Sequence, residues 1–195
     1  MTSSEDDNPA RHRQWQGFVW GGLSPLSSDA FNQRNLIIGN SGSGKSRLAA
    51  RMATKTNCAH VTLDDIYWID QLALKKRGAV AAKQLTVEIA SQDRWVIEGV
   101  YGWLIDVAAP RTTAMLWLDL PWSDCKAGLE ARGPCGVSDA EFAGLLDWAE
   151  RYWSRQTSSS QAAHTKIFAA FPGSKIALTS RAEVAGFEER LAGLG

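Results

Sequence analysis

The sequence predicts a doubly wound α/β domain on a five-stranded parallel sheet, with a small helical lid. Three observations carry that expectation. Five short apolar runs recur along the chain with helical segments between them. The first run ends in a glycine-rich turn that leads into a helix. The acidic motifs sit directly after later runs. Short apolar strands alternating with helices imply a parallel sheet covered on both faces, and right-handed crossovers wind it in two directions. Ligands in such folds bind beyond the carboxyl ends of the strands. Motifs placed at those ends therefore converge on one cleft.

The 195 residues fit one domain, and a chain of this length buries roughly 70% of its unfolded surface. Residues 1–34 read as an extension and 35–195 as the domain. The first 13 or so positions are polar and acidic and read as disordered. Residues 14–33 carry Trp15, Phe18, Trp20, Leu23, Leu26 and Phe31 among glycines and a proline, and read as an irregular segment packed on the body. Leu36-Ile37-Ile38 forms the first strand, and Leu48, Ala49 and Met52 give 47–54 helical spacing. Further strands are expected at 60–63, 95–97, 114–120 and 175–178. Ser138-Asp139-Ala140-Glu141 has the capping-box pattern that starts a helix, whose apolar stripe is Phe142, Leu145, Leu146, Ala149 and Trp153. Residues 157–160 make a polar break, 181–191 a closing helix, and 132–172 the lid and helical region.

Composition excludes several classes of function. Lys+Arg and Asp+Glu both number 21, so bulk positive charge for nucleic-acid binding is absent. No apolar run approaches the ~18 residues of a membrane span, and the N-terminus has no signal-peptide core. Cys58, Cys125 and Cys135 form no CxxC pair, which points to a reducing cytoplasm rather than a disulfide framework or a zinc site. Nine tryptophans are read as core and lid packing before base stacking.

The chemistry starts at Gly39-Asn40-Ser41-Gly42-Ser43-Gly44-Lys45-Ser46, a complete match to the P-loop pattern between a strand and a helix. Glycines let the backbone wrap tightly and turn N–H groups toward phosphates, and the helix N-terminus adds its positive end. Lys45 is placed to reach the β- and γ-phosphate oxygens, and Ser46 to offer a hydroxyl to Mg²⁺. Asp64 follows the second strand, where a kinase places the base for its acceptor hydroxyl. Asp65 is the lesser candidate, and a helix N-cap pair is the competing reading of both. Glu98 ends the third strand, as a carboxylate that holds a Mg²⁺-bound water would. Asp119 competes for that role, but Gly99 after Glu98 allows close approach to a ligand and favours Glu98. Arg132, in a glycine-punctuated segment, and Arg151 and Arg155, one helical turn apart, are candidates to neutralise the transferring phosphoryl group, against a reading as a solvated face. Lys75-Lys76-Arg77 reads as a solvated run, with contact to an anionic acceptor as the lesser reading.

Four stations stand in order: the P-loop, Leu63-Asp64-x-x-Tyr67-Trp68, Trp95-Val96-Ile97-Glu98-Gly99-x-Tyr101, and Leu118-Asp119-Leu120-Pro121. Together, over about residues 35–191, they resemble the bacterial adenylate-kinase-like P-loop proteins often labelled topology modulation proteins. These are relatives of nucleoside monophosphate kinases and shikimate kinase. The resemblance implies that Glu98 lies near Mg²⁺ and that Arg132, at the start of the lid, contacts ATP. It implies that Arg151 and Arg155 embrace the phosphoryl group and that Thr179-Ser180-Arg181 touches the adenine. The chain departs from the pattern in having Glu98-Gly99-Val100-Tyr101 for the usual Asp-Gly-Asn-Tyr. Its 67–93 insert also lacks recognisable acceptor-site arginines, so an AMP-type acceptor is not implied. The expected function is ATP-dependent, Mg²⁺-assisted phosphotransfer to a small-molecule acceptor. The alternative is a regulatory ATP-binding protein, or a slow ATPase coupled to a protein partner. The GTP-specific Asn-Lys-x-Asp motif is absent, which favours ATP.

Overall fold

Five parallel strands in the order β2-β5-β1-β6-β7 form the body of the computed structural model, which describes residues 30–70 and 75–193. They are β1 (Arg34–Gly39), β2 (Ala59–Thr62), β5 (Trp95–Gly99), β6 (Ala114–Leu118) and β7 (Ser174–Leu178). β1 lies at the centre, paired in parallel with β5 on one side and β6 on the other. The chain runs from β1 to the edge strand β2, returns to β5 between them, then crosses β1 to β6 and β7, so β1 stands where the two halves of the sheet meet. The P-loop leaves the sheet at that switch point.

Side-chain parity explains the continuous apolar runs. Alternate residues of a strand face opposite sides. Ile37, Val96, Leu116 and Leu118 enter one core layer, against α1 (Lys45–Thr56) and α8 (Arg181–Ala192). Leu36, Ile38, Trp95, Ile97, Met115 and Trp117 enter the other, with α4 (Gly102–Ala108) and α7 (Gln161–Ala170). Each central strand is buried on both faces, so it needs apolar residues at every position. Trp95 and Trp117 are core residues, as expected of the tryptophans.

Serine and threonine set several helix starts. Thr62 caps α2 (Leu63–Tyr67), Ser160 caps α7 and Ser180 caps α8, each accepting from a backbone N–H two or three residues on. The expected capping box is present at α6 (Asp139–Glu150), with Ser138 and Glu141 bonded reciprocally. α5 (Trp122–Arg132) follows Pro121 and ends at Gly133.

Several boundaries differ from the sequence reading. The second strand stops at Thr62, because Leu63 already belongs to the Thr62-capped helix. Asp64 and Asp65 therefore lie in the first turn of α2 and are not its N-cap. α6 stops at Glu150 and a short 3-10 turn, Arg151–Trp153, follows, so Trp153 is not on the stripe of a continuous helix. Arg151 and Arg155 likewise do not share a helix face. The insert holds α3 (Ala79–Ala90) and an antiparallel pair, β3 (Trp68–Asp70) and β4 (Lys75–Lys76), which the sequence reading did not foresee. Phe31 sits in the core with its ring 6.0 Å from that of Phe187, and β1 begins at Arg34, one residue before the expected domain start. The readings made for residues 1–29 lie outside the described residues. No described helix is long and apolar enough to cross a membrane.

Candidate functional site

Because the strands are parallel, the segments that follow β1, β2, β5, β6 and β7 emerge at one edge of the sheet. A cavity of about 450 Å³ opens there, walled by P-loop residues, Asp64, Glu98, Val100, Arg132 and Arg181. Gly44 caps α1, and the first α1 N–H groups have no carbonyl within the helix to bond. Lys45 is 7% exposed and its ammonium donates to the Asn40 carbonyl oxygen at 2.8 Å. Two side chains tie the loop to its surroundings. Asn40 Nδ2 donates to Ala149 O on α6 at 2.9 Å. Arg181 donates to the carbonyls of Ser43 at 2.8 Å, Gly42 at 3.0 Å and Asp124 at 2.8 Å. With those oxygens held by Arg181, the loop can present its N–H side to an anion.

The loop also packs directly on α5. A Cβ on Gly42 would stand 2.1 Å from Cys125 O, and one on Gly128 would stand 2.2 Å from Gly42 O. Gly42 also has φ +78°, a conformation that favours glycine. Main chain meets main chain here, so no flexible side chain can move aside. Gly128→Ala should displace the P-loop, weaken nucleotide binding and lower stability by about 1–3 kcal/mol. Urea unfolding and ATP titration of that variant check the expectation.

Strand parity places Glu98 on the Val96 face of β5, toward α1. There Ser46 Oγ donates to Glu98 Oε1 at 2.8 Å, and Glu98 is 2% exposed. Two oxygen atoms side by side at the P-loop end of the cavity match the preference of Mg²⁺ for hard ligands. Asp119 is turned elsewhere: its Oδ2 accepts from Gln161 Nε2 at 3.3 Å, and it does not line the cavity.

On the β2 side, Asp64 Oδ1 accepts from the Tyr101 hydroxyl at 2.8 Å, and Trp68 Nε1 donates to Tyr101 Oη at 3.0 Å. Tyr67 packs among Trp68, Tyr101 and Trp103 at ring distances of 5.1, 4.7 and 5.7 Å. The two aromatic-bearing stations of the sequence thus meet in one cluster behind Asp64. Burial, and then the Asp64 carboxylate, raise the pKa of the Tyr101 phenol, so it stays a hydrogen-bond donor. Sequence reasoning named the stations but not this bond, which joins residues 37 positions apart.

The arginines divide. Arg132, the last residue of α5, is exposed and lines the cavity, as does Arg181. Arg151 and Arg155 do not line it. Arg151 bonds Asp147 one turn back at 2.6 Å, with both side chains largely exposed. Arg155 lies 3.6 Å from the centre of the Trp148 ring and donates to Trp148 O and Ser159 O at 2.7 and 2.9 Å. Lys75 and Lys76 are exposed, with the Lys76 ammonium over the rings of Tyr67 and Trp68, whereas Arg77 departs from a solvated run: it is half-buried and its Nε donates to Ile66 O at 2.9 Å.

A buried polar group braces the cavity wall. His164 is fully buried between the Val100 carbonyl, 3.0 Å from Nε2, and Tyr152 Oη, 2.7 Å from Nδ1. A carbonyl only accepts, so Nε2 carries the hydrogen and Nδ1 accepts from Tyr152. Trp117 Nε1 donates to the same Tyr152 oxygen at 3.3 Å. No sequence pattern marked this trio.

The fold matches known structures. A gluconokinase from Sinorhizobium meliloti 1021 superposes with a TM-score of 0.52 and 16% identity, over 84% of this chain and 92% of that one. The chain has an α/β P-loop NTPase fold. At this identity the likeness is one of architecture. A shikimate kinase from Bacteroides thetaiotaomicron gives a TM-score of 0.49 at 19% identity, over 83% of this chain and 96% of its own. In sequence, the chain is 31% identical over 68 residues to the uncharacterized protein YqaC of Bacillus subtilis (strain 168). That stretch is 34% of this chain and spans 38% of the length of YqaC. No protein-family model matches the chain.

Proposed function

We propose that the chain is an ATP-dependent phosphotransferase that moves the γ-phosphoryl group of ATP to a hydroxyl of a small molecule. One observation carries the reading: the P-loop, the Ser46–Glu98 pair and Asp64 all face the same cavity. A nucleotide site alone would need only the first two. A carboxylate across from the P-loop supplies what an acceptor alcohol needs, a group to take its proton. The absence of Asn-Lys-x-Asp supports ATP as donor, and the four motif stations support a resemblance to the topology-modulation-like proteins.

In this reading the α1 N–H groups and Lys45 bind the donor phosphates. Ser46 and Glu98 would hold Mg²⁺, which supplies charge neutralisation at the β- and γ-phosphates. Arg132 reaches the phosphates from the cavity rim. Arg181 acts on the nucleotide mainly by holding the P-loop in shape, since its guanidinium already serves three carbonyls. Arg155 braces the lid through its carbonyl bonds and the Trp148 stack, and Arg151 contributes lid charge. Asp64 accepts the acceptor proton. Positioning and electrostatics then account for most of the rate, as phosphoryl transfer requires.

The test incubates the purified chain with Mg²⁺ and ATP and measures ADP release across a panel of nucleosides, nucleoside monophosphates, sugars and sugar acids. At least one alcohol should stimulate ADP release and be recovered phosphorylated. Asp64→Asn should lower that stimulated rate by about 10²-fold or more while ATP still binds. A panel without any stimulation, or full turnover by Asp64→Asn, would sink the reading.

A further inference from the structure

We infer that Tyr101 is a positioning residue, which fixes one oxygen of the Asp64 carboxylate so that the other is aimed at the acceptor hydroxyl. The inference rests on the proposed role of Asp64 as base and extends it to a residue that need not touch substrate.

Donor and acceptor chemistry sets the direction of the chain. An indole N–H is a donor only, so Trp68 must give its hydrogen to Tyr101 Oη, at 3.0 Å. The phenol has one hydrogen, and with Trp68 on its oxygen that hydrogen goes to Asp64 Oδ1, at 2.8 Å. The alternative, in which Asp64 donates to Tyr101, would leave the phenol hydrogen without this acceptor. Trp68 thus orients Tyr101, and Tyr101 orients Asp64.

The cluster is also held sterically. The Tyr67 ring lies 4.7 Å from Tyr101 and 5.1 Å from Trp68, so both hydrogen-bonding rings pack on a common neighbour. From the other end, the Asp64 backbone N–H is fixed by Thr62 Oγ1 at 3.3 Å. Tyr101 is the N-cap of α4 and follows Glu98, Gly99 and Val100 directly. The end of β5 and the short turn into α4 therefore carry both the carboxylate assigned to the metal and the hydroxyl that sets the base.

The chemical consequence is a division of labour within one carboxylate. Oδ1 is engaged by Tyr101. As the bond from the acceptor oxygen to the γ-phosphorus forms and the bond to the β-phosphate oxygen breaks, ADP leaves with that electron pair. The acceptor proton passes to Oδ2. A carboxylate free to rotate would spend less time in line with the acceptor, and small misplacements are costly.

The test uses Tyr101→Phe, which keeps the stacked ring, and Trp68→Phe, which removes the donor to Tyr101 and leaves a smaller ring against Tyr67. The probes are Mg²⁺–ATP with the same panel of alcohols. Tyr101→Phe should lower kcat by about tenfold with ATP affinity within about twofold of wild type. Trp68→Phe should show the same changes at smaller size. In an Asp64→Asn background, Tyr101→Phe should have no further effect on kcat, because it acts through that carboxylate. Wild-type kcat in Tyr101→Phe, or a further loss of kcat when Tyr101→Phe is added to Asp64→Asn, overturns the inference. If Tyr101→Phe lowers kcat but Asp64→Asn keeps full turnover, the assignment of Asp64 as base fails first and the inference falls with it.

Discussion

Lys45→Ala should lower kcat/KM for ATP by about 10²- to 10³-fold, without loss of folding stability. Lys45 is 7% exposed, its ammonium donates to the Asn40 carbonyl at 2.8 Å, and it forms no ion pair with a described residue. A buried cation held by a single neutral partner is costly, because the carbonyl does not replace the water it lost. An incoming phosphate relieves that cost, which is what makes the position a binding site. Removing the charge therefore removes both the penalty in the free protein and the gain on binding. The two should separate in measurement. Urea unfolding without nucleotide should show Lys45→Ala as stable as wild type or more so. Calorimetric titration with ATP and Mg²⁺ should show the lost affinity. Unchanged ATP affinity and turnover would remove Lys45 from the site.

Acid should destabilise the protein through His164 by about 3 kcal/mol. Burial, the largest cause, pushes the pKa of this imidazole down from 6.5 to about 4. The hydrogen-bond pattern agrees, because Nδ1 already accepts from Tyr152 and has no room for a proton of its own. The sign follows from which state binds the proton. Between pH 6.5 and about 4 the unfolded chain takes it up and the folded chain does not. The contribution is therefore fully present above pH 6.5, falls as pH drops through that window, and is gone near pH 4. Tyr152 also receives the Trp117 N–H, so protonation would disturb three side chains at once. Urea unfolding of wild type and His164→Gln at pH 7.5 and pH 4.5 isolates the term. The variant should start less stable at pH 7.5 and lose less on acidification. Equal losses in the two proteins would mean that carboxylates govern the acid limb instead.

Much of the fold was legible because it rests on local pattern. The central strands are buried on both faces, which forces unbroken apolar runs such as Leu36-Ile37-Ile38 and Met115-Leu116-Trp117-Leu118. The P-loop is a contiguous motif whose geometry depends on its own glycines. Ser138 and Glu141 form a cap within four residues of chain. What was not legible depends on distance or on brevity. β3 and β4 have three and two residues, too few for a period-two pattern to stand out. Arg151 and Arg155 looked like neighbours on one helix, but the chain changes to a 3-10 turn between them. The Tyr101–Asp64 bond and the Arg181 clamp join residues 37 and up to 139 positions apart. Such contacts are decided by the packing of whole elements. Within the site, parity could have ranked Glu98 by placing it on the α1 face. Asp119 follows a strand whose parity alone does not separate it from the phosphate end.

The Arg181 clamp has a consequence for how the sequence can drift. Every oxygen it binds belongs to the main chain of Gly42, Ser43 or Asp124. The clamp is therefore indifferent to the side chains at 43 and 124. The buried Ser43 hydroxyl has no hydrogen-bond partner among the described residues, so it lends the clamp nothing. Selection on this corner of the molecule falls instead on one guanidinium and on Gly42 and Gly128, which let the backbones meet. Descendants of this chain could exchange Ser43 for another small residue and keep the same loop, whereas a lysine at position 181 would surrender the planar fork that spans three carbonyls at once.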